Sequence, residues 1–174
     1  MRRWPSRRVS SGGVDDGGGA EPESVRPAAV PELSGAVGRV TLDRVSDALE
    51  LLGVGCLAVG GVSLVAMWER HAVLITVEGP ADEILVLRAR PHATVPHDWA
   101  DRAYRVLNEW NHTNRFGSAY LGDPCDRGQL PIYAEIQVPL GAGVHDSLLV
   151  ELLDCGLTTS RAFVNWLHDD GALL

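Results

Sequence analysis

VSLVAMWERHAVLITVEGPADEILVLRARP (62–91) holds three apolar runs, 62–68, 71–79 and 83–91, each rich in Val, Ile and Leu. Turn-sized gaps separate them, Glu69-Arg70 first and Gly79-Pro80-Ala81-Asp82 second. Runs this short and β-branched, bounded by turn formers, read as strands. In the third run Ile84, Val86 and Arg88 alternate with Leu85, Leu87 and Ala89, so one of its faces turns polar towards its end. The stretch is expected to be an antiparallel meander, and the elements on either side follow from it.

Upstream, TLDRVSDALELLG (41–53) spaces Leu42, Val45, Leu49 and Leu52 at three- and four-residue steps. Thr41 suits an N-cap, Asp43 the first turn and Gly53 the stop, which predicts a first helix. Residues 51–68 carry no charge, the lower edge of a membrane span. Gly53, Gly55, Gly60 and Gly61 interrupt them and no arginine cluster sets a topology, so the stretch reads as a helix end, a glycine turn and a buried strand.

Downstream, Pro91 and Pro96 bracket a loop, and Trp99, Ala103, Val106, Leu107 and Trp110 predict a second helix over 97–111. GSAYLG (117–122) and PIYAEIQVPL (131–140) read as a hairpin whose loop, DPCDRGQ, is rich in turn formers. In its second strand Ile132, Ala134, Ile136 and Val138 alternate with Tyr133, Glu135 and Gln137, the pattern of a strand with one wet face. Leu148, Leu149, Leu152, Leu153, Gly156, Phe163, Val164 and Leu167 then form a helical stripe over 144–168. Gly156 costs about 1 kcal/mol inside a helix, so one long helix or two hinged there are both open. The order is αβββαββα, an α+β fold with helices packed on one face of an antiparallel sheet.

The chain of 174 residues is 45% hydrophobic and 22% charged, the balance of one globular domain. Its net charge of −8 argues against a nucleic-acid binder, which needs a basic face. All 15 basic residues are arginine, which excludes any chemistry that needs a lysine ε-amine. Residues 1–39 are expected to be a disordered low-complexity tail, because SSGGVDDGGG and the prolines after it offer too little to bury. The basic opening MRRWPSRR has no apolar run behind it and does not read as an export signal. Residues 40–174 form the folded domain.

The search for reaction chemistry is negative. The sequence contains no G-x-G-x-x-G, Walker, C-x-x-C, H-E-x-x-H or G-x-S-x-G motif. The three cysteines make no disulfide framework and fit a reducing cytoplasm. Cys56 and Cys155 lie in apolar settings and read as core residues. Cys125 sits in a turn between Asp123 and Asp126, a poor setting for a thiolate nucleophile. The six histidines lack the spacing of a zinc site, so neither metal nor cofactor is expected. Trp68 and Trp110 read either as packing residues or as anchors for a partner.

The segment VLNEWNHTNRFGSAYL (106–121) resembles the helix-to-strand signature of the YbjN-domain family. An asparagine pair, Asn108 and Asn111, precedes an aromatic, Phe116, and a strand start at Ala119-Tyr120. Residues 67–90 resemble the family's first three strands, with Trp68-Glu69 before a tight turn, and the long last helix also matches. The likeness spans about residues 41–170. The chain departs from it with Phe116 in place of a common tryptophan and Gly117-Ser118 in place of Pro-Lys.

The resemblance implies a fold like that of type III secretion chaperones, a homodimer, and sensory or regulatory protein binding in place of catalysis. Physical reasoning agrees, since helices on one side of a sheet leave the other side for a partner. The residues expected to meet that partner are Asn108, Trp110, Asn111 and Arg115 at the motif edge, and Tyr133, Glu135 and Gln137 on the wet strand face. Capping of the second helix is the plainer role for the asparagine pair. The partner is a protein of unknown identity, in the cytoplasm, without nucleic acid or membrane span. A small-ligand sensor with a pocket between sheet and last helix, opened at Gly156, is the alternative, and a hydrolase built on Cys125 the third.

Overall fold

A computed structural model describes residues 35–174. Helix α1 (Leu42–Leu51) starts where expected, with the Thr41 hydroxyl accepting from the Arg44 N–H at 3.3 Å. Gly53, at φ 68°, supplies the left-handed turn that ends it. Strands β1 (Cys56–Val59), β2 (Ser63–Met67), β3 (His71–Glu78) and β4 (Ile84–Pro91) follow as a continuous antiparallel meander.

A short strand β5 (Val95–Pro96) and a 3-10 turn (His97–Trp99) lead into α2 (Ala100–Thr113). Then come β6 (Ser118–Leu121), β7 (Gln129–Leu130), β8 (Ile132–Pro139) and α3 (Asp146–His168). The main sheet has the order β1-β2-β3-β4-β8-β6 and is antiparallel throughout; β5 and β7 form a separate two-stranded ribbon.

The α+β fold with helices on one sheet face stands as expected, with one strand more in the meander. The sequence reading put a single strand in 51–68, whereas β1 and β2 share that stretch. Four residues between glycines carry too few side chains to show a period, and although Cys56–Val59 is wholly apolar in sequence, most of it is exposed in the structure.

The register sorts the sheet cleanly into two faces. Val73 pairs with Ala89 and Ile75 with Leu87; across β8, Leu87 pairs with Ile136 and Ala89 with Ala134. These residues face the helices. The inner face carries two cores. In the first, Val45 and Leu49 of α1 and Leu149 and Leu153 of α3 pack on Leu64, Ile75, Leu85 and Leu87. In the second, Leu107 and Trp110 of α2 and Phe163, Val164 and Leu167 of α3 pack around Ala119 and Ile132. Full burial of one such aliphatic side chain contributes about 1.5–3 kcal/mol relative to exposure.

Helix α3 belongs to both cores and runs unbroken through Gly156. A Cβ at Gly156 would lie 2.6 Å from Leu87 Cδ2. The glycine therefore serves close approach of helix to sheet, not a hinge. This corrects the ligand pocket expected there, because Leu87 occupies the space.

Two further corrections follow from packing. Cys155 is exposed: at about 100° per residue it lies far round the helix from Leu153, off the buried stripe. The low-complexity tail lies, up to residue 34, outside the described residues. Residues 35–39, grouped with it by composition, are strapped to the start of α3. Gly38 pairs with Val144, Gly35 O accepts from His145 Nδ1 at 2.8 Å, and Arg44 donates to Arg39 O, Val144 O and Asp146. Among the described residues no helix is long and apolar enough to cross a membrane.

Gly156→Val is expected to destabilise the fold by about 1–3 kcal/mol, the range for overpacking a filled core, despite valine's better helix propensity. Urea denaturation followed by circular dichroism reads this; an unchanged midpoint would refute the close-approach role.

Candidate functional site

The face of the sheet away from the helices has no layer over it among the described residues. Its register pairs are Leu57 with Val65, Val65 with Leu74, Met67 with Ala72, Leu74 with Arg88, Arg88 with Glu135, and Tyr120 with Tyr133. One half of this face, on β1 to β3, is apolar, and Leu57 and Met67 are 67% and 59% exposed. The other half, on β4, β8 and β6, is polar and aromatic. A shallow groove of about 390 Å³ joins the halves, lined by Val65, Leu74, Arg88, Arg90, Tyr120 and Tyr133.

Glu135 is the centre of the polar half. Arg88 donates to it in a salt bridge, Tyr120 Oη donates to the same oxygen at 2.9 Å, and Gln137 Nε2 donates to the other. Burial pushes the Glu135 carboxyl up, but the bonds from Gln137, Arg88 and Tyr120 outweigh it and hold it below the ordinary glutamate value. Burial and the neighbouring carboxylate together raise the Tyr120 phenol. Tyr120 and Tyr133 stack, with ring centroids 5.5 Å apart. Tyr133, Glu135 and Gln137 thus share the outer face, as their alternation implied. Arg88 and Tyr120 complete the cluster. Neither was singled out in the sequence reading, although the alternation along 83–91 already put Arg88 on a polar face.

The residues at the motif edge separate. Asn108 and Arg115 are exposed. Trp110 is not an edge anchor: it is 4% exposed, edge-on to Phe163 and tilted against Trp166 in the second core. Its place on the buried stripe of α2, one turn from Leu107, decides this. Asn111 makes a two-way clamp. Its Nδ2 donates to Ala119 O at 2.9 Å and its Oδ1 accepts from Ala119 N at 2.7 Å. The carboxamide stands in for a neighbouring strand along the outer edge of β6. Helix capping falls instead to Asn114 and Thr113, both bonded to Trp110 O, because α2 continues two residues past Asn111.

Trp68 lies over the turn between β2 and β3, stacked on the buried His71 with ring centroids 4.9 Å apart and planes 7° apart. Burial lowers the His71 pKa, and the charges of His92 and Arg161 lower it further. Cys125 is exposed in its turn, where Gly128 N donates to Cys125 O. Among the described residues no group of three His, Cys, Asp or Glu side chains is placed to hold a metal ion.

The whole of this architecture has known relatives. Residues 41–169 match the model of the YbjN family, described as "Putative bacterial sensory transduction regulator". The chain belongs to the YbjN family. The crystal structure of YbjN, "a putative transcription regulator from E. coli", superimposes with a TM-score of 0.64 at 14% identity, covering 78% of this chain and 97% of that one. At that identity the likeness concerns the fold alone. A search of curated proteins finds no match.

Asn111→Ala should cost about 1–3 kcal/mol, since it strips both partners from the Ala119 backbone, and thermal unfolding measures it. Because the fold favours neutral His71, the unfolded chain takes up that proton first as pH falls. Stability should therefore decline below the unfolded value of about 6.5. His71→Phe, which keeps a ring under Trp68, should flatten the urea midpoint between pH 7 and pH 5; an unaltered slope would assign the effect elsewhere.

Proposed function

We propose that the chain is a non-enzymatic regulator that works by binding protein and assembles as a homodimer through the outer face of its sheet. The observation that carries this is the uncovered apolar half of that face. That half makes up a little under half of the whole outer face, whose six strands, at about 3.3 Å per residue and about 4.8 Å between strands, together offer on the order of 600 Å². That approaches the roughly 800 Å² each partner contributes to a standard interface. The family description as a sensory regulator supports the regulatory part of the reading.

Tyr133, Glu135 and Gln137 lie where such a partner would sit, with Arg115 beside them, while Asn108 is exposed on α2 and would be reached only by a partner that extends past the sheet. A cytoplasmic site of action and a chaperone-like mode of capture, as in type III secretion chaperones, belong to the same proposal. The bonds to Glu135 change how it is best tested. Glu135→Arg, a natural first choice from sequence, would set a second guanidinium against Arg88 and remove acceptors from Tyr120 and Gln137, so it confounds binding with folding.

Leu57→Glu with Met67→Glu is cleaner, since both side chains are largely exposed. The native protein is expected to sediment as a dimer at micromolar concentration, and the double variant as a monomer with unchanged circular dichroism. A native monomer at that concentration would end the self-association reading.

A further inference from the structure

Strand β8 outruns its neighbour. It extends to Pro139, while β6 pairs with it only as far as Ser118 opposite Glu135. The chain before β6 turns away at Gly117, with φ 82° and a would-be Cβ 2.9 Å from both Glu135 O and Ile136 Cγ1. Only glycine fits that turn, and the turn is what leaves the remainder of β8 without a neighbour.

The direction of the free groups follows from the ladder. Ala119 spends its N–H and C=O on Asn111, on the side away from β8. Ser118 and Tyr120 therefore point theirs at Glu135 and Tyr133. Two residues on, Gln137 directs its N–H and C=O the same way, past the end of β6. The protein protects one sheet edge with Asn111 and leaves this one open.

A groove of about 620 Å³ lies beside that edge, lined by Phe116, Ile136, Val138 and Leu152 with Arg115 and Gln137. Phe116 is 65% exposed. Glu135, the carboxylate in the groove, is already bonded to Arg88, Tyr120 and Gln137. No salt bridge among the described residues engages Arg115. The groove therefore presents a free cation on a domain whose residues 41–174 carry a net charge of −9.

We infer that the open edge of β8 at Gln137 receives an extended segment of a partner protein as an added strand. The segment is apolar at alternate positions and carries an acidic residue near Arg115. Backbone bonds to Gln137 give the strand its register. Apolar side chains on alternate positions reach Ile136, Val138 and Leu152, and the acid answers Arg115. This rests on the protein-binding reading and names the partner's chemistry.

The test uses the full chain and a labelled peptide, acetyl-Val-Thr-Val-Glu-Val-Thr-Val-amide, with its Glu-to-Lys counterpart, read by fluorescence anisotropy. The Glu peptide is expected to bind at least tenfold more tightly than the Lys peptide, and Arg115→Glu to reverse that order. Gln137→Ala should leave binding intact, whereas Gln137→Pro, which removes the free N–H, should weaken it at least tenfold. If Gln137→Pro does not fold, hydrogen exchange of the native Gln137 amide replaces it and should slow when the Glu peptide binds.

Absence of binding by either peptide overturns the inference, even with the dimer intact. So does binding indifferent to both Arg115→Glu and the Gln137 amide. Loss of the dimer in Arg115→Glu, with peptide and dimer competing, assigns the edge to a second copy and overturns it as well. Peptide binding to a monomeric protein would sustain this inference while the dimer reading fails.

Discussion

At Gly156 the backbone of α3 comes against Leu87 in the middle of the sheet, so closely that a Cβ would sit 2.6 Å from Leu87 Cδ2. The rest of the molecule is arranged around that contact. It lets one helix lie low across the inner face, placing Leu149 and Leu153 in one core and Phe163, Val164 and Leu167 in the other. With α1 and α2 packed on the same side, the apolar demand of the inner face is met. Nothing in the described chain then remains to cover the opposite face, and the functional reading begins from that asymmetry.

The uncovered face is divided by chemistry along strand order. Leu57, Val65, Met67 and Leu74 make one half, and the bonded set of Arg88, Glu135, Tyr120 and Gln137 the other. A buried or half-buried charge is tolerated when its bonds are made, and Glu135 has all three of its donors within its own chain. That set orders the face without the need of a partner. The apolar half has no such internal satisfaction, and burial there would be gained only on association.

The two edges near α2 show opposite solutions to one problem. Strand edges expose unpaired backbone groups that other chains can use. Along β6 the Asn111 carboxamide fills the place of a neighbour at Ala119. Along β8, Gly117 bends the chain away and the backbone of Gln137 is left uncovered. Asn111 belongs to the asparagine pair that carries the likeness to the family, whereas Gly117 stands where this chain departs from it, and the two contacts explain why an asparagine and a glycine fall there.

Periodicity alone determined most of the fold. The alternation along 83–91 and 131–140 set strand faces correctly, and the three- and four-residue steps of 42–52, 97–111 and 144–168 set the helices, because local side-chain spacing must match the period of the element that buries it. It also put Tyr133, Glu135 and Gln137 on one wet face. What periodicity could not carry was anything fixed by a contact between distant segments. Trp110 read as part of a partner-binding edge until Phe163 and Trp166 were seen against it in the core. Gly156 read as a weak point in a helix until Leu87 supplied the reason for it. Asn111 read as a cap until Ala119 was found beside it, and β1 was too short for any period to appear. Each of these is decided by what lies across space, which only the tertiary structure brings together.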